Sequence, residues 1–154
     1  MTYGSGLRVS EVVRLKMNHI DAKRKLVRVE QGKGRKDRYT LLSLKALEVL
    51  RIYCRSERPA SYLFFGRNKA EPMPINTAQK IFRATKKAAG IDKGRGIHSL
   101  RHCFATHLLE QGTDVYVIKR LIGHRSIQTT ITYLHQLPQR MAEIKSPLDT
   151  LPGI

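Results

Sequence analysis

β-forming residues gather in two short runs near the start of the chain, and apolar positions recur at helical spacing almost everywhere after them. Val12, Val13 and Leu15 stand among polar residues behind a Gly-Ser-Gly turn, which predicts a short helix over Arg8 to Leu15. The runs Lys25 to Gln31 and Arg38 to Leu42 predict strands. Between them Gly32-Lys33-Gly34-Arg35-Lys36-Asp37 is a turn signal, so the pair reads as a β-hairpin with a basic tip.

Ser43 is placed to cap a helix from Leu44 to Cys54, whose apolar stripe is Leu44, Leu47, Val49, Leu50 and Tyr53. A loop through Arg58, Pro59 and Ala60 leads to Tyr62 to Phe65, a short strand or buried extended segment. Pro72 and Pro74 break the chain, and a helix starting at Asn76 or Thr77 runs to Ala89, where Gly90 stops it. Helices follow over His98 to Gln111, Asp114 to Leu121 and Ser126 to His135, separated by Gly112 and Gly123. The tail from Gln136 is expected to be irregular in part. The pattern is that of an α-rich (α+β) single domain with a small antiparallel sheet near its start. Parallel βαβ architecture is disfavoured, because the clear strands are adjacent and hairpin-connected.

Charge narrows the function. The 154 residues carry 29 Lys plus Arg against 12 Asp plus Glu, a formal charge of +17. Such an excess points first to a polyanion, and nucleic acid is the expected partner. A membrane surface is disfavoured, since the basic residues are spread over the chain rather than gathered beside an apolar span. The start has no apolar region of a secretory signal. Cys54 and Cys103 lack zinc-site or disulfide spacing and are expected to be reduced core thiols of a cytoplasmic protein.

The chemistry-bearing residues fall into ordered groups. His98 and Arg101, three apart in a predicted helix, can reach the same anion. They are followed by His102 to Leu109, then Leu121-Ile122-Gly123-His124, and nine residues past His124 by Tyr133. Together with Tyr3 to Glu11 around Arg8, and with Gly32 to Lys36 around Lys33, these groups resemble the catalytic domain of the tyrosine recombinases, the phage-integrase family. The resemblance covers nearly the whole chain, and four ordered boxes make it specific.

The resemblance implies a mainly helical catalytic domain that cuts and rejoins DNA strands through a 3′-phosphotyrosyl intermediate, without metal or cofactor. Carried over residue by residue, it names Arg8, Lys33, His98, Arg101, His124 and Tyr133 as catalytic. Each role has a physical case. Paired guanidiniums on Arg8 and Arg101 can neutralise the non-bridging phosphate oxygens in place of Mg²⁺. Tyr133 can store the bond energy as a covalent ester, and Lys33 can protonate the departing 5′-oxygen. His98 and His124 can donate to the phosphate, with His98 the better candidate for proton exchange with the tyrosine.

Glu11, three residues after Arg8, can hold that guanidinium; an ordinary surface pair fits the spacing equally well. Arg35, Lys36 and Arg38 are expected to contact DNA phosphates, and His102 to hold a structural position. The other tyrosines read as packing residues. Zinc on His98, His102 and His107 is disfavoured, because no HExxH glutamate, cysteine or carboxylate completes a ligand set.

Members of the family carry helices ahead of the first arginine box and, before those, a separate core-binding domain. Met1 stands seven residues ahead of Arg8, so residues 1–154 are expected to be one catalytic domain without those parts. Apolar surface left uncovered would favour self-association, or pairing with other recombinase protomers on double-stranded DNA. The implied setting is cytoplasmic and nucleoid-associated, of bacterial or mobile-element origin. Two other readings stand beside the recombinase: a DNA-binding remnant without turnover, and a nicking and closing enzyme of the type IB topoisomerase kind.

Overall fold

The computed structural model describes residues 1–30, 37–94, 96–124 and 126. Among them the helices are α1 (Val9–Val13), α2 (Leu44–Glu57), α3 (Ile75–Ala88), α4 (His98–Glu110) and α5 (Val115–Ile122), and the strands are β1 (Ile20–Asp21), β2 (Leu26–Val29) and β3 (Arg38–Leu41). The strands form one antiparallel sheet in the order β1-β2-β3. The α-rich architecture read from the pattern is thus the one observed. The basic hairpin tip and the helix expected from Ser126 to His135 lie outside the described residues, apart from Asp37 and Ser126.

Strand periodicity decides which side chains of β3 turn inward. Register pairs Val27 with Thr40 and Val29 with Arg38, so all four share one face. Val27, Val29, Thr40 and Arg38 are buried, while Tyr39 and Leu41 face solvent. Thr40 Oγ1 donates to the Ser5 carbonyl at 2.8 Å, which ties the N-terminal turn to the sheet.

Two apolar clusters support the fold. The first joins Leu7, Leu15, Val27, Val29, Leu42, Leu47, Leu50 and Leu63 around the sheet and α2. The second joins Phe104, Ala105 and Leu109 of α4 to Ile118 and Ile122 of α5. Full burial of each of the larger side chains, Val, Leu, Ile or Phe, contributes about 1.5–3 kcal/mol. α5 packs against both α4 and β3, so its end is fixed between the helices and the sheet.

Local signals act as expected at several ends. Ser43 Oγ accepts from the Ala46 amide at 3.1 Å and starts α2. Asp114 accepts from the amides of Tyr116 at 2.8 Å and Val117 at 3.3 Å and starts α5. Elsewhere the pattern needs correction. The buried stripe of α2 is narrower than read: Leu47 and Leu50 are buried, but Leu44 and Val49 face solvent. Of the two readings of Tyr62 to Phe65, the extended segment is the one observed, with isolated bridges from Lys16 to Tyr62 and from Phe65 to Pro72. Its anchor is Leu63, buried, whose amide donates to the Leu15 carbonyl at 2.7 Å. Cys103 is exposed and is not a core thiol, whereas Cys54 is half-buried and packs against the first cluster. On α4 the inward positions are Arg101, Phe104, Ala105 and Leu109, and helical spacing turns Cys103 away from them. Tyr39 and Tyr116 are likewise exposed rather than packed, while Tyr3, though exposed, stands edge-on against the His107 ring.

The 3-10 turn Met17–His19 and the two-residue strand β1 carry no pattern long enough to read in advance. His19 is buried there, its Nδ1 accepting from the Lys16 amide at 3.2 Å and its Nε2 lying 3.1 Å from Glu30 Oε1.

Candidate active site

The site is built on one carboxylate and one helix end. Arg8 is the last extended residue before α1, and the backbone amide there donates to Glu11 Oε2 at 2.8 Å. Arg8 Nη1 reaches Glu11 Oε1 at 3.1 Å, so the i,i+3 contact exists and is more than a surface pair. The reason is Arg38, which closes on the same carboxylate from the sheet: Nη1 to Oε1 at 2.9 Å and Nη2 to Oε2 at 2.8 Å. From α4, Arg101 Nη1 lies 3.7 Å from Glu11 Oε2. Burial alone would raise the Glu11 carboxyl, yet the hydrogen bond and charge of Arg38, with those of Arg8, hold it below the ordinary carboxylate value.

The same three arginines meet the end of α5, one carbonyl each. Arg38 Nε donates to Leu121 O at 3.0 Å, Arg101 Nη2 donates to Ile122 O, and Arg8 Nη2 donates to Gly123 O at 3.3 Å. The last carbonyls of a helix have no intrahelical donor and carry its negative end, so cations are favoured there. Arg101 Nη1 also donates to Gly6 O at 2.6 Å.

Glycine is required at two of these points. At Gly6, with φ +62°, an added Cβ would lie 2.5 Å from the Phe104 ring. At Gly123, with φ +67°, it would lie 2.8 Å from Arg38 Nε.

His124 follows that left-handed turn, its amide donating to Lys119 O at 3.2 Å. Burial first, then the charges of Arg101, Arg8, His102 and Arg38, lower its pKa from 6.5 to about 4. The imidazole is therefore neutral near pH 7 and offers hydrogen bonds rather than charge.

Among the sequence-expected residues, Arg8, Arg101 and His124 come together with Glu11. Arg101 is 6% exposed, whereas the Arg8 side chain is 39% exposed and is the more open guanidinium. His98 is exposed at the first residue of α4. His102, read as structural, is exposed as well, and its charge reaches His124. His107 is held by the Tyr3 hydroxyl, 2.9 Å from Nδ1. Lys33, Arg35, Lys36 and Tyr133 lie outside the described residues.

Arg38 requires a correction. The expected phosphate contact does not fit a guanidinium that is 9% exposed and whose three nitrogens are all engaged inside the protein. Sequence reading missed it because its partners are 27 and 83 residues away. The parity of β3, which places residue 38 on the same face as Thr40, was the available signal. Among the described residues no group of three or more His, Cys, Asp or Glu is arranged to hold a metal ion.

Comparison with known proteins identifies the family. The profile of the phage integrase family matches residues 1–140. An integrase/recombinase of Sinorhizobium fredii is 45% identical over 150 residues, 97% of this chain and 49% of the relative. The tyrosine recombinase XerD of Corynebacterium glutamicum is 35% identical over 149 residues, 94% of this chain and 49% of the relative. Among solved structures, XerA recombinase superposes with a TM-score of 0.80 at 31% identity, over 92% of this chain and 53% of that one. XerH recombinase, bound to its difH substrate in a pre-cleavage complex, superposes with a TM-score of 0.78 at 25% identity, over 92% of this chain and 43% of that one. The chain thus spans about half the length of these relatives. With its first arginine box and its second box meeting at one carboxylate, their guanidiniums holding the Leu-Ile-Gly-His turn, and the family profile matching residues 1–140, the chain belongs to the phage integrase family.

Proposed function

We propose that residues 1–154 act as a catalytic unit of site-specific DNA recombination, cutting and rejoining one strand of a duplex through Tyr133. The observation that carries this reading is the meeting of Arg8 and Arg101 at Glu11 and the end of α5, with His124 next in the chain and within reach of their charges. One carboxylate against three arginines leaves the cluster with net positive charge, and Arg8 is open enough to meet a phosphate.

In this reading the Tyr133 oxygen attacks the phosphorus, giving up its proton with His98 as the acceptor. A P–Oη bond forms, the P–O5′ bond breaks, and Lys33 donates a proton to the departing 5′-oxygen. Arg8 and Arg101 stabilise the charge that grows on the non-bridging oxygens, and neutral His124 donates to the same phosphate. The reverse attack by a 5′-hydroxyl releases the tyrosine. Duplex DNA is the substrate, with other recombinase protomers supplying the second pair of ends.

Because the arginines bear the transition-state charge, adduct formation on a nicked duplex is expected to proceed in EDTA. Arg8→Ala or Arg101→Ala is expected to slow it on the order of 10²-fold or more. Strict dependence on Mg²⁺, or full activity in both variants, would contradict the proposal.

A further inference from the structure

We infer that Arg38 is a positioning residue for phosphodiester cleavage, setting Arg8, Arg101 and His124 through Glu11 and the end of α5; this rests on the recombinase reading above.

Both Glu11 oxygens are shared. Oε1 accepts from Arg8 Nη1 and Arg38 Nη1; Oε2 accepts from Arg38 Nη2 and the Arg8 amide, with Arg101 Nη1 at 3.7 Å. The two parallel bonds from Arg38 fix the plane of the carboxylate. Without them Glu11 is free to turn wholly onto Arg8 or Arg101, and so to neutralise the charge meant for the phosphate. Arg38 is therefore the counter-cation that leaves the other two guanidiniums only partly compensated.

The second link runs through the backbone. Arg38 Nε holds Leu121 O at 3.0 Å, the first of the three carbonyls that the arginines share. The side chain also lies against Gly123, where an added Cβ would come within 2.8 Å of Nε and 2.9 Å of Cδ. The turn that delivers His124 is thus seated on the Arg38 guanidinium. A lysine cannot repeat this, since one ammonium lacks the planar fork that spans a carboxylate and a carbonyl together. A buried ion pair is by itself weak evidence for stability, which makes a role in geometry the testable alternative.

The test measures single-turnover adduct formation at saturating nicked duplex, duplex affinity at two salt concentrations, and thermal melting, for wild type, Arg38→Lys, Glu11→Gln and the double variant. Arg38→Lys is expected to lower the saturated rate about 10²-fold, the effect of misplacing reacting groups by an ångström. Duplex affinity and its salt dependence should stay at wild-type values, because Arg38 touches no phosphate. The losses in Arg38→Lys and Glu11→Gln should be strongly non-additive. An unchanged saturated rate overturns the inference, as does a loss confined to affinity with a shallower salt dependence. So does a loss that tracks the melting temperature and adds to that of Glu11→Gln.

If wild type forms no adduct, the recombinase reading fails separately, and side-chain Nε–Hε resonances titrated with inorganic phosphate still score Arg38. In wild type, Arg8 and Arg101 should shift and Arg38 should not, a comparison that needs no variant to fold. An Arg38 shift as large as that of Arg8 overturns the inference.

Discussion

Burial and the surrounding guanidiniums bring His124 down to about 4, and the sign of that shift has a measurable consequence. A folded-state pKa below the unfolded value of 6.5 means that the stability His124 contributes is full above about pH 6.5 and is lost as pH falls through about 4. Glu11, held below its ordinary value of 4.5, loses its contribution in the same direction at lower pH. An NMR titration of the His124 ring is expected to show a midpoint near 4, with the melting temperature falling across the same window. A midpoint at the ordinary 6.5 would show that the ring is neither buried nor set among the arginine charges as described. At this scale the sequence was legible where partners are close: Arg8 and Glu11 are three residues apart and meet. It was not legible for Arg38, whose place in a run of basic residues suggests solvent. What buries it is a carboxylate on α1 and a carbonyl on α5, chosen by the tertiary fold.

Among the elements, α5 matters most to the site, because its last carbonyls hold all three arginines. Its start depends on Asp114, whose carboxylate takes two otherwise unpaired amides. Asp114→Ala is expected to cost about 1 kcal/mol, which for a domain of this size lowers the melting temperature by roughly 2–4 °C. No change in melting would show that the cap is dispensable. Asp114, Ser43 and Gly123 were all readable in advance because cap and turn chemistry is local. The faces of the helices were less so. Cys103 is apolar in type but lies on the outer face of α4, and the fold buries Arg101 instead because Gly6 and Ile122 offer it carbonyls. Val49 extends an apolar stripe on α2, but the first cluster buries Leu47 and Leu50, with Ala46 and Cys54 packed at its edge, and leaves Val49 in solvent.

For the whole molecule, a charge of +17 and a cluster of three arginines around one carboxylate favour a polyanionic partner, which the proposed function takes to be duplex DNA. Charge points to a class of partner, while the proposed strand transfer rests on the ordered boxes and not on charge. Attraction through phosphates alone weakens steeply with salt and carries no base sequence, so binding by itself is a poor test of strand transfer. The decisive group is Tyr133, nine residues beyond His124 in the chain. Wild type and Tyr133→Phe are to be incubated with a nicked duplex that traps the cleaved strand, and the covalent protein–DNA adduct resolved under denaturing conditions. The expected result is an adduct with wild type and none with Tyr133→Phe, at equal duplex affinity, because only the attacking oxygen has been removed. An adduct that persists in Tyr133→Phe, or its absence from wild type on substrate that is bound, would contradict the assignment of this site to tyrosyl strand transfer.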